Sequence, residues 1–104
     1  MTLAIPPRSD GELSFVLRDT QTGAVVTGAT VVATVYDPAG HEVGTDVGAS
    51  EVSGTYTIAI LPDWSEDDAG DSVLGEFTVD ALITGSGIQR LARLHYVVTY
   101  EVDD

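Results

Sequence analysis

The densest run of reactive side chains in this sequence is Asp63-Trp64-Ser65-Glu66-Asp67-Asp68-Ala69-Gly70-Asp71-Ser72. Hard cations such as calcium take about six to eight oxygen ligands, and carboxylates two apart on a loop can converge on one ion. Asp63, Ser65 and Asp67 have that spacing, and Asp71 could close the shell. These four are the candidate ligands for calcium or another hard cation. The run is not an EF-hand: its glycine is misplaced and no Glu holds the twelfth position. It also reads as a solvated acidic loop. A third reading is a short helical turn capped by Asp63 or Ser65, with Glu66 and Asp67 near its positive end.

Nucleophilic catalysis has less to work with. His41 and His95 are far apart in sequence, there is no cysteine, and no G-x-S-x-G places a serine on a strained elbow. H-E-x-x-H and C-x-x-C are also absent. The expectation is a non-enzymatic protein with no organic cofactor. Arg90 and Arg93 are the only basic pair close in sequence, and cross-strand ion pairing is their expected role. Trp64, the single tryptophan, either anchors a partner or folds back over an open end of the domain. Ile5, Pro6 and Pro7 are candidate partner contacts on an extended arm, residues 1–11.

The elements that must position these residues are strands. Leu13, Phe15 and Leu17 alternate with Glu12, Ser14, Val16 and Arg18. Thr30–Asp37 is dense in β-branched residues, with Val31, Ala33 and Val35 on one face. Asp37-Pro38-Ala39-Gly40 has the signature of a type I turn. His41–Val47 reads as a weaker strand interrupted by Gly44, and Gly48–Ser50 as a further turn. Gly54–Leu61 and Val73–Thr84 resume the alternation, Thr84–Gly87 reads as a hairpin loop, and Ile88–Val102 as a long last strand. Ala24–Thr27 is a possible edge segment, open to a partner strand. Seven or so strands with frequent turns predict one all-β domain, residues 12–104, an antiparallel β-sandwich.

Charge narrows the setting. The chain has 104 residues, 17 Asp plus Glu, four Arg and no Lys, for a formal net charge of −13. A nucleic-acid binder needs cations for phosphates, so that class is excluded, and an anionic membrane surface is disfavoured. Apolar residues make up 43% of the chain, enough for a core. Concentrated salt shortens the Debye length to ~3 Å at 1 M and removes most of the self-repulsion. An acidic, lysine-free surface thus suggests adaptation to salt, the alternative being an ordinary acidic protein in which Arg replaces Lys.

The run Gly28-Ala29-Thr30-Val31 leading to Tyr36-Asp37-Pro38-Ala39-Gly40, with the later Gly54-Thr55-Tyr56, resembles a recurring phrase of immunoglobulin-like modules. Such phrases occur in extracellular adhesin-type domains and in small capsid, neck and tail proteins of tailed viruses. The antibody-type cysteine pair is absent and Trp64 falls in a loop. The resemblance implies an immunoglobulin-like β-sandwich. It further implies a structural virion protein, docked onto the capsid as a decoration protein, or else placed at the neck or tail. Its partners would be other virion proteins in a symmetric or homo-oligomeric assembly, with neither nucleic acid nor membrane. With no signal-peptide pattern at Met1–Asp10, the expectation is synthesis in the host cytoplasm and residence in the virion. A binding module of a surface or secreted protein is the alternative.

Overall fold

The structure is a computed structural model that describes residues 3–19, 21–85 and 88–99. Alternation of apolar and polar residues resolves into eight strands among them: β1 (Leu3–Ile5), β2 (Gly11–Val16), β3 (Thr30–Tyr36), β4 (Glu42–Gly48), β5 (Ser50–Val52), β6 (Thr55–Ile60), β7 (Gly75–Gly85) and β8 (Ile88–Val98). A single 3₁₀ turn spans Pro62–Ser65. One sheet runs β1-β8-β7-β3-β4 and the other β2-β6-β5. The protein is all-β, as the alternation predicts.

The two sheets share one core. Val31, Ala33 and Val35 of β3, Phe77, Val79, Ala81 and Ile83 of β7, and Tyr96 and Val98 of β8 are buried on one side. Tyr56, Ile58 and Ile60 of β6 are buried on the other, with Leu13 and Phe15 of β2 packed against them. Each sheet carries one stacked cross-strand aromatic pair: Phe77 on Tyr96 (centroids 5.1 Å apart) in the larger and Phe15 on Tyr56 (5.5 Å) in the smaller, both near-parallel. Each fully buried side chain of this size contributes ~1.5–3 kcal/mol against leaving it in water.

Four sequence expectations are revised here. Leu3–Ile5 of the extended arm is a strand, paired parallel to β8 with Ile5 opposite Val98. Three residues are too short to show a period, so only the pairing reveals it. Gly48–Ser50 is no local turn: β4 continues through Gly48, and Ala49 crosses to the other sheet while its N–H donates to Val31 O. Gly44 does not break β4; the strand runs through it, with shifted register against β3 and Asp46 at φ 54°. Ala24–Thr27 forms no strand. Only Val25 bridges to Arg18, and Tyr56 Oη pins the segment by accepting from Ala29 N–H and donating to Val26 O. The Thr84–Gly87 loop and the end of the last strand fall partly on residues 86, 87 and 100–104, outside the described residues.

Candidate functional site

The acidic loop is built around a backbone device that occurs twice. At Asp37, the carboxylate Oδ1 accepts from Ala39 N–H (3.0 Å) and His41 N–H (2.8 Å), Gly40 N–H donates to Asp37 O, and Asp37 N–H donates to His41 O. At Asp67, Oδ1 accepts from Ala69 N–H (3.0 Å) and Asp71 N–H (2.8 Å), Gly70 N–H donates to Asp67 O, and Asp67 N–H donates to Asp71 O. Gly40 and Gly70 both have positive φ, 90° and 82°. Asp-x-Ala-Gly closes both loops, the turn geometry that a left-handed glycine allows. The sequence held this signal at Asp67-Asp68-Ala69-Gly70, but the surrounding carboxylates suggested an ion instead.

The four candidate ligands are therefore placed differently from one another. Ser65 is buried; its Oγ accepts from Arg8 N–H (2.6 Å) and donates to Pro62 O (3.3 Å). Asp67 Oδ1 is spent on its own loop, while Asp63 and Asp71 are exposed. Among the described residues no three His, Cys, Asp or Glu side chains come together to hold a metal ion. Neither Asp63 nor Ser65 caps the 3₁₀ turn, whose N-cap is Leu61 without a side-chain bond. The loop borders a cleft of about 380 Å³ lined by Asp37, His41, Glu42, Trp64, Glu66 and Asp68 among others. His41 Nδ1 stands 3.4 Å from Asp37 Oδ2.

Of the residues expected at a partner surface, two are in this chain's own core. Trp64 is 5% exposed, and Ile5 is 8% exposed. The indole lies on Gly44, where an added Cβ would stand 2.9 Å from Cε2 and Cζ2. Of the two readings of Trp64, the ring covering an end of the sandwich is the one its burial favours. Pro6 is exposed and Pro7 half-buried. The stretch after them is tied to the acidic loop through Arg8, which has φ 56° and a guanidinium 3.4 Å from Gly70 O.

The outer face of the larger sheet gathers the remaining polar chemistry. Arg93 and Asp80 face one another across β8 and β7, Nε to Oδ1 at 2.8 Å and a second nitrogen to Oδ2 at 3.1 Å. The guanidinium hydrogen bonds hold the Asp80 carboxyl below its ordinary pKa, and the carboxylate pushes Arg93 up. The expected cross-strand pairing is thus found for Arg93. His95 Nδ1 lies 3.5 Å from both Glu76 Oε1 and Thr78 Oγ1 on the neighbouring strand. His41 lies in the turn before β4 and His95 on β8, so the two do not share an element. Next to the Asp80–Arg93 row runs an apolar one: Val32, Leu82 and Leu91 are successive cross-strand neighbours, with Leu82 42% and Leu91 60% exposed.

Comparison with protein-family models, with curated proteins and with solved structures finds no match for this chain.

Proposed function

We propose that this protein is a non-enzymatic, immunoglobulin-like structural component of a tailed virus, docked onto the capsid as a decoration protein. Strand order carries the immunoglobulin-like part of the reading. In that sandwich, strands C′, C, F and G share one sheet and B, E and D belong to the other. The orders β4-β3-β7-β8 and β2-β6-β5 follow the same sequence of neighbours. Because such a sandwich hosts many roles, the virion assignment rests on the likeness of the Gly28–Gly40 run to phrases in virion proteins. The carboxylates support a structural role: Asp37 and Asp67 close backbone loops, and Glu51 accepts from Gly28 N–H and Gly54 N–H. Salt adaptation belongs to the same proposal, since a −13 chain without lysine keeps a compact state most easily where salt screens it.

The test is compositional. Virus particles from the producing host are banded on a density gradient, and their proteins are quantified by mass spectrometry. The chain should co-band with the major shell protein in a fixed ratio. Its confinement to the unassembled fraction overturns the reading.

A further inference from the structure

The free edges of the two sheets are unequally protected. β1 and β5 are three residues each, and β1 is followed by Pro6 and Pro7. β4 is bulged and carries Glu42 and Asp46. β2 carries Glu12, with Asp10 just before it. Short strands, bulges, prolines and charges are the devices that keep an edge from pairing with another chain.

β8 is long, keeps its register and has no proline, and its only charges from Ile88 to Leu94 are Arg90 and Arg93. β1 covers it only from Tyr96 to Val98. Thr99 N–H donates to Ile5 O (3.0 Å), so residue 99 turns its backbone groups toward that side. Backbone direction alternates along a strand, so the N–H and C=O groups of Gln89, Leu91 and Arg93 point the same way. Among the described residues no strand meets them there. This stretch has no Pro or Gly, and its register with β7 is unbroken from Gly75↔Val98 to Gly85↔Ile88. From Ile88 to Leu94 it also has no carboxylate, yet it holds two of the four arginines of a −13 chain.

We propose that this edge pairs antiparallel with the same edge of a second copy, across a two-fold axis at Leu91. Charge selects the occupant. Two copies of so acidic a chain repel almost everywhere and approach most easily where carboxylates are missing. Asp80 neutralises Arg93 on the adjoining strand. The two-fold sets Leu91 opposite Leu91, Gln89 opposite Arg93, and Arg90 opposite Ala92, so no like charges face each other. All three outward-facing positions become mutual hydrogen-bonded pairs. The row Val32–Leu82–Leu91 then continues into its symmetry mate, covering the most exposed leucine of the described residues. An edge contact of this length buries less than the ~800 Å² per partner of a standard interface, so the dimer is weak and strengthens with salt. The inference stands on fold and charge and is independent of the virion reading.

Sedimentation equilibrium over a range of protein and KCl concentrations tests it. The dimer fraction should rise with both, and the Leu91 amide should gain hydrogen-exchange protection as it does. Leu91→Pro removes an outward N–H and leaves the ladder to β7 intact, so it should be monomeric with an unchanged β-type circular dichroism spectrum. Should that variant fail to fold, Leu91→Lys sets two cations across the axis and should weaken the dimer by about tenfold or more. A wild-type chain that stays monomeric at millimolar concentration in molar KCl overturns the proposal, as does a dimer that Leu91→Lys leaves unchanged.

Discussion

Trp64 rests directly on Gly44: a Cβ at that position would stand 2.9 Å from two carbons of the indole. The contact joins the 3₁₀ turn that follows β6, of the smaller sheet, to β4 of the larger one. Gly44→Ala forces the ring or the strand to move. Overpacking of this kind costs about 1–3 kcal/mol. Urea unfolding should show that loss. The sole tryptophan should also emit further to the red than in the wild type, because displacement exposes it to water. An unchanged emission maximum would mean that the ring does not depend on the glycine.

Tyr56 and Tyr96, the fully buried tyrosines among the described residues, should respond differently to loss of their hydroxyls. Tyr56 Oη bonds Ala29 N–H and Val26 O, so Tyr56→Phe leaves both groups without that partner and costs about 1–3 kcal/mol. Tyr96 Oη is buried and has no partner among the described residues; burial also pushes its pKa well above that of an ordinary phenol. Removing an unpaired hydroxyl in a site of the same shape is neutral or stabilising. Thermal melts of Tyr96→Phe should therefore match or exceed the wild type, while Tyr56→Phe melts earlier.

Because the Asp37 and Asp67 loops share one hydrogen-bond pattern, their alanine variants should behave alike. Each substitution removes an acceptor for two backbone N–H groups, a loss of about 1 kcal/mol on the scale of a missing helix cap. Chemical denaturation measures it. With Asp67 Oδ1 engaged in its own loop, millimolar calcium should shift the melting temperatures of wild type and Asp67→Ala equally. A shift that only the wild type shows would identify Asp67 as a ligand.

Glu51 links folding to pH. The Gly54 and Gly28 N–H groups hold its carboxyl below its ordinary 4.5. A depressed carboxylate pKa stabilises the folded state above the unfolded value, and that contribution disappears as pH falls through the folded value. Glu51→Gln should therefore melt below the wild type at neutral pH, and the gap should narrow as the pH drops beneath 4.5. Acid also relieves the general repulsion of a −13 chain, which acts with the opposite sign in both proteins. The difference between the two melts isolates Glu51.

Salt dependence tests the reading of the surface. Stability should rise from low to molar KCl, most steeply at the dilute end where the Debye length changes most, ~30 Å at 0.01 M against ~10 Å at 0.1 M. Circular dichroism melts across that series check it. A melting temperature indifferent to salt would detach the acidic surface from any halophilic setting.

Alternation in Leu13–Leu17, Thr30–Tyr36, Thr55–Ile60, Gly75–Gly85 and Leu91–Val98 made the all-β class and most inward residues legible from sequence, because side-chain direction in a strand depends only on the parity of position. The Asp37-Pro38-Ala39-Gly40 turn was equally local, and the Asp67 loop repeats it in residues whose charge hid the match. The Val52–Thr55 hairpin is local too: Ser53 and Gly54 both take positive φ, 51° and 87°, yet Ser-Gly is a weaker sign than Asn-Gly. What only the tertiary structure decided is which strands meet. Whether Ala49 turns or crosses between sheets, whether Leu3–Ile5 lies free or against β8, and whether Trp64 faces a partner or Gly44 all depend on contacts between residues distant in sequence. Period and propensity carry no term for such contacts, nor for the edge from Gln89 to Arg93, which no strand of the described residues other than β7 meets.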